Sequence, residues 1–340
     1  MGNSSAKTIL TVILFLMPTW SWGHHSTAIY NMEEKITVHG IVTRIRWANP
    51  HVYIYLDQTA ETGEIISWEV EAYGPGAMRK MGFSRDTVAL GETLTIHGSA
   101  ARNPQRNGIY PYAIVYAGTT LFDPDKFFRE NMSGQIPDES TTSLAGKWIT
   151  NLNPDLIPVL DGSAERDLTE FGAAAAASWE ESIMNPAISC GRLPTPMTMV
   201  IADDKRITLS DDVVTIEGVY DGLVRTVHMD VDSHEGATPT EQGHSIGRWE
   251  GASLIIDTSV FADHSMGNFW GLPSGSQKRV MERLTLNQDG KTLSYHFELT
   301  DSQYLASPIT GDSTWTYGPD LEFTLYDCDP VSATRFLDYQ

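Results

Sequence analysis

Short runs of alternating apolar and polar residues, separated by Gly, Pro, Asn and Asp, recur from Lys35 to Tyr326 and limit the chain to a β-rich fold. A period of two leaves one face of each run apolar, so the runs must pair into sheets that bury those faces. In the first half, Ile36 to Trp47, Val52 to Asp57, Ile65 to Tyr73, Thr93 to Ala100 and Tyr110 to Ala117 read as strands, with a helical stretch from Gly76 to Met81 after the third. Five strands with a helix in that place predict a small OB-like barrel over residues 24–120. Residues 121–143 are polar and aperiodic and read as a linker. From Leu144 a second series begins with Gly146-Lys147-Trp148, followed by a helix over Glu165 to Ser182 that carries the alanines 173–177. Strands are then expected at Met197 to Ala202, Arg206 to Leu209, Val213 to Glu217, Leu223 to Met229, Ser253 to Asp257, Arg279 to Asn287, Thr292 to Leu299, Ser313 to Tyr317 and Glu322 to Tyr326. The whole is all-β: the OB-like five-stranded barrel, then a larger antiparallel lipocalin-like barrel with one helix over residues 144–340, able to enclose a ligand.

The first residues read as an export signal. Lys7, the apolar run Ile9 to Met17 and the small-x-small triplet Ser21-Trp22-Gly23 make up its three regions, and residues 1–23 are expected to be removed. The apolar run is too short to span a bilayer, and no other segment is apolar enough, so a periplasmic or secreted protein is expected with no transmembrane segment after processing. In an oxidising compartment the two cysteines, Cys190 and Cys328, are expected to pair, with two buried thiols as the alternative. A net charge of −21 argues against nucleic acid, whose binding depends on Lys and Arg displacing counterions. A small-molecule ligand or substrate is the partner expected.

Two places could carry chemistry. Cleavage after Gly23 exposes His24, whose amine and imidazole can chelate one ion, with His25 or His51 completing the set; nitrogen donors suit copper, or another divalent metal. The other is Tyr220 to His264, which gathers His228, His234, His244 and His264 with five Asp and three Glu. His234 or His244 oriented by Asp230 or Asp257 would be ordinary equipment for proton transfer near neutral pH. The same groups with His264 could instead hold zinc, although no His-x-x-x-His or His-x-His spacing is present, or could simply cap turns. Gly243-His244-Ser245-Ile246-Gly247 has a serine in the third position, but the sequence continues as a strand and not as the helix a nucleophile elbow requires. Trp249, Phe269, Trp270, Tyr295 and Trp315 are the aromatic side chains expected to line a cavity. Two functions follow: a binding protein for a small apolar or aromatic molecule, or a cofactor-independent isomerase, cyclase, lyase or hydratase on the same barrel.

Two resemblances accompany these readings. His24-His25-Ser26, Trp47-Ala48-Asn49-Pro50-His51, Trp68-Glu69-Val70-Glu71 and Met81-Gly82-Phe83 resemble an exported bacterial domain of unknown function, over about residues 23–115. Arg225 to Asp230, His234, Gly243-His244-Ser245-Ile246-Gly247-Arg248-Trp249-Glu250-Gly251 and Glu282-Arg283-Leu284 resemble a widespread family of exported bacterial proteins, over about residues 185–328. Val231-Asp232-Ser233 departs from that family's Gly-Arg-x, and Ala252-Ser253 from its Asp-Thr. The resemblances imply export and two folded parts, and no activity.

Overall fold

The computed structural model describes residues 29–124, 138–151, 153–220, 222–323, 325 and 328–339. The first sheet contains β1 (Tyr30–Arg46), β2 (Tyr53–Thr59), β3 (Ile65–Glu71), β4 (Thr93–Ala101), β5 (Gly108–Tyr116) and β6 (Thr119–Phe122) in the order β3-β2-β1-β4-β5-β6. A parallel pairing of Glu69 and Val70 with Gly108 and Ile109 joins β3 to β5 and closes five strands into the expected ring, with β6 appended to β5. The long β1 makes closure possible: its first part pairs with β4 and its last with β2, and the register shifts between Val42 and Arg44. Val38, Val42, Ile54, Leu56, Val70, Leu94, Ile96 and Ile114 fill the interior. The short helix Pro75–Lys80 follows β3, as the sequence predicts.

The second sheet is a closed nine-stranded barrel, in the order β10-β11-β12-β13-β14-β15-β7-β8-β9. Its strands are β7 (Gly146–Thr150), β8 (Asp204–Leu209), β9 (Val213–Gly218), β10 (Leu223–His228), β11 (His244–Glu250), β12 (Ser253–Ser259), β13 (Lys278–Leu286), β14 (Thr292–Asp301) and β15 (Ile309–Tyr317). All neighbours are antiparallel except β10 and β11, which run parallel and share only the pairs Val227↔Ser245 and His228↔Ile246. Parallel neighbours need a long crossover, supplied here by residues 229–243.

Three expectations change. Met197 to Ala202 is no strand: Met197–Val200 is a short buried helix in a stretch, 193–200, buried at every position. Pro194 and Pro196 lack the N–H groups a ladder needs, so this segment packs into the barrel core instead. The helix expected from Glu165 to Ser182 is confined to Glu170–Ala177, capped by the Thr169 hydroxyl accepting from the Gly172 N–H, and is accompanied by several one-turn helices. The strand expected over Glu322 to Tyr326 is absent among its described residues.

The C-terminal segment returns to the first sheet. Cys190 and Cys328 form the expected disulfide. Beyond it, Asp329 accepts a forked pair of bonds from Arg46, Ser332 donates to the His51 carbonyl at 2.6 Å, and Arg335 clasps Glu69 at 2.7 to 2.9 Å. Leu337 and Ile188 pack against buried Ile29 and Tyr30. Among the described residues no helix is long and apolar enough to cross a membrane.

Candidate functional site

Inside the second barrel, alternation places a charged pair where apolar side chains are expected. Leu223, Arg225 and Val227 point inward from β10, and Val280, Glu282 and Leu284 from β13. Arg225 lies against Glu282 in a forked ion pair, and its Nε and Nη2 donate to the Ser245 hydroxyl at 3.1 and 3.0 Å. Nη2 also reaches Thr258 at 2.8 Å, and Tyr295 donates to Glu282 at 2.8 Å. Burial and the Glu282 carboxylate push the Tyr295 phenol well above its ordinary value, so it remains a donor. A buried pair so fully hydrogen-bonded avoids the penalty that an unpaired interior charge would carry.

A cleft lies on the outer side of this buried network. Where β10 and β11 part below their two shared pairs, a cleft of about 400 Å³ opens between β10 and residues 238–243. Arg225 and Ser245 border it on the inside, and Thr226, His228, Gln242 and His244 nearer the surface. The 238–243 strip is fixed by Gln242, which donates to the Leu193 carbonyl at 2.6 Å and accepts from Thr195 at 2.8 Å. Gly243 has φ +72°, and a Cβ there would meet Thr258 at 2.7 Å and Phe261 at 2.8 Å, so only glycine lets the strip enter β11 this way.

Three of the four expected acid-base residues meet beside this cleft. His244 points away from the barrel interior, opposite to its neighbour Ser245. Its Nδ1 lies 2.9 Å from Nδ1 of His234, which the 229–243 crossover brings back over the sheet, and the His234 Nε2 lies 3.8 Å from Asp257. Asp257 is in turn gripped by Arg279 at 2.8 and 2.5 Å. His228 stacks on His244 with ring centroids 5.0 Å apart and planes 23° apart. Burial, with His228 and His234 nearby, lowers the His244 pKa and keeps that ring neutral.

At 3.8 Å Asp257 lies beyond hydrogen-bond reach of His234 Nε2, which is buried without a hydrogen-bond partner among the described residues, so the carboxylate acts on that ring through its charge, and the two facing Nδ1 atoms share one proton. Asp230 is exposed and takes no part. His264 serves the fold: its Nδ1 accepts from the Met266 N–H at 3.0 Å and its Nε2 faces the Arg192 carbonyl at 3.3 Å. Among the described residues no group of three or more His, Cys, Asp or Glu is arranged to hold a metal.

The aromatic residues do not gather around that cleft. Phe269, Tyr295 and Trp315 are buried in the barrel core, where Tyr295 stacks on Trp315 at 5.9 Å and Phe269 lies 5.6 Å from Phe297. Trp270 contacts Trp179 at 6.2 Å between ring centroids, and Trp249, at the end of β11, is 48% exposed. Of the expected N-terminal metal set, His24 and His25 lie outside the described residues, and His51 Nδ1 donates to the Ala72 carbonyl at 3.1 Å.

Comparison with known proteins finds a family match for part of the chain. Residues 13–110 match a family described as of unknown function, DUF6152, which takes in most of the first sheet. No match was found among curated proteins. Among solved structures, a chain of the S. pombe Stn1-Ten1 complex is similar over 28% of this chain and 63% of its own, with 10% identity and a TM-score of 0.20. Thus the chain spans less than two thirds of that structure. The REP1-NXSQ fatty acid transporter is similar over 53% of this chain and 98% of its own, with 12% identity and a TM-score of 0.25. Its Y128F mutant is similar with 10% identity and a TM-score of 0.24. Scores this low tie the chain to neither protein.

Proposed function

We propose that this is an exported protein that moves a proton on a small polar molecule held in the cleft beside β10, with His244 Nε2 as the acid-base group. The Asp257–His234–His244 array carries this reading. In this reading the proton shared by the two Nδ1 atoms rests on His244; when His244 Nε2 takes a proton from the substrate, that Nδ1 proton shifts to His234 Nδ1, and the positive charge then rests on a ring facing the Asp257 carboxylate. Arg279 fixes that carboxylate, and Thr226 offers a hydrogen bond to orient the substrate. Such chemistry needs no cofactor and suits an isomerase, cyclase, lyase or hydratase. The lowered His244 pKa keeps the base available at neutral pH.

A carrier of a small apolar or aromatic molecule in a lipocalin-like barrel is the second reading, supported by the aromatic side chains of the core. Those side chains already pack on one another and share the core with the buried 193–200 segment, so a ligand there would have to displace them. The cleft requires no such displacement.

Nitrogen-15 NMR of the imidazoles at pH 7.5 tests the array: His244 should carry its proton on Nδ1, and Asp257→Asn should weaken that preference. Finding the proton on Nε2 in the wild type would sink the proposal. On a panel of enolisable and hydratable carbonyl compounds, any turnover found should fall about 100-fold or more in His244→Ala. Undiminished turnover would remove His244 from the mechanism, and retention of a compound without turnover would favour the carrier.

A further inference from the structure

We infer that the cleft beside β10 takes a zwitterion, a free α-amino acid, with Arg192 holding its carboxylate and Glu241 its ammonium. The inference rests on the reading of that cleft as the substrate site and adds the class of molecule held there. Arg192 and Glu241 both line the cleft, whose volume of about 400 Å³ falls within the range of small-molecule sites. Both residues are exposed, and among the described residues neither side chain forms a salt bridge or a hydrogen bond, with the other or with any third group. The other guanidinium of the lining, Arg225, is spent on Glu282. Opposite charges that share a cleft without pairing leave both free for a ligand.

The backbone beneath both groups is held in place. Gln242, next to Glu241, donates to the carbonyl of Leu193, next to Arg192, at 2.6 Å and accepts from Thr195 at 2.8 Å. The Arg192 carbonyl faces the His264 ring at 3.3 Å. The two charged side chains thus spring from neighbouring strips joined by one amide. A guanidinium presents two parallel N–H groups that match the two oxygens of a carboxylate, and a carboxylate accepts from an ammonium in turn. An α-amino acid carries both charges on one carbon, so a single molecule answers both groups. A simple acid would set its carboxylate near Glu241 in a chain of net charge −21, and a simple amine would set its cation near Arg192. Val224, 47% exposed on the same lining, offers an apolar surface to the ligand's side chain.

Calorimetric titration of the oxidised protein with the standard L-amino acids, one at a time, tests this. At least one should bind, and its amide and its deamino acid, each lacking one of the two charges, should bind about 10-fold or more weakly. Arg192→Gln and Glu241→Gln, both at exposed positions, should each weaken the amino acid by about the same factor and leave the melting temperature unchanged. Arg248→Gln, on β11 outside the cleft, should leave the affinity unaltered. No binding across the set would overturn the assignment. So would an amide or deamino acid that binds as tightly, or equal affinity in the wild type and both cleft variants. The acid-base reading fails separately. Amino-acid binding that meets these criteria without any His244-dependent turnover keeps the zwitterion site and removes the catalysis. His244-dependent turnover of uncharged carbonyl compounds, with no amino acid bound, does the reverse.

Discussion

Lys278 is fully buried in the second barrel, where its ammonium donates to the Gly267 carbonyl at 2.5 Å and sits 4.5 Å from the centre of the Phe261 ring. Burial lowers its pKa to about 7, although Asp301 and Glu282 pull the other way. The unfolded chain keeps this proton up to about pH 10.4 and the folded chain releases it near 7, so between those values the unfolded state binds more protons. Stability contributed through Lys278 therefore rises with pH across that window, by at most about 1.4 kcal/mol per unit. Urea denaturation from pH 6.5 to 9.5 should show the wild type gaining stability relative to Lys278→Met as pH rises; parallel profiles would refute the claim. Arg225 offers a second test: Arg225→Ala leaves Glu282 buried without its cation and should lower stability by about 3 to 5 kcal/mol. Arg225 falls in the inward register of Leu223 and Val227 within an expected strand, whereas Lys278 shares the register of Val280 but lies one residue before the strand expected from Arg279. A charge in an apolar register is a stronger pointer than a histidine in a loop. His234 shows the contrast: no period governs residues 229–243, so its meeting with His244 depends on the path of the crossover, which local pattern does not encode.

At the scale of elements, most strands were readable and their partners were not. Alternation gives each strand's inward face, but the short parallel seam between β10 and β11 that opens the cleft is a matter of connection. Pro194 and Pro196 announced the misreading of Met197 to Ala202, since a strand with two prolines in its approach has few donors to offer. The helix Glu170–Ala177 shows how an element without an apolar stripe is held. Gly172 is buried, and a Cβ there would stand 2.1 Å from the Tyr304 carbonyl, so the helix backbone rests directly on the turn after β14. An alanine run suits either close packing or partial exposure; here Ala173, Ala174 and Ala177 are exposed and the close contact is made by the glycine before them. Gly172→Ala should force the helix off that turn and cost about 1 to 3 kcal/mol despite alanine's better helix propensity, with the loss visible as a lower urea midpoint. An unchanged or higher midpoint would show that the contact yields freely.

Across the whole molecule, the cysteine count predicted the disulfide, and nothing in the sequence showed what the bond would secure. It holds residues 328–339 where Asp329 meets Arg46 and Arg335 meets Glu69. Replacing both cysteines by serine should lower stability by up to about 4 to 5 kcal/mol in the chain-entropy model and make the C-terminal segment an early site of proteolysis. A variant with wild-type melting and cleavage pattern would show that the ion pairs suffice. The return of this segment also orders events in time. Ile29 and Tyr30, at the head of β1, share their apolar cluster with Ile188 and Leu337, the latter made some 300 residues later. A barrel whose strands are complete by residue 122 thus keeps an uncovered apolar corner until synthesis has passed residue 337, and an interrupted chain carries that corner as a mark of its incompleteness.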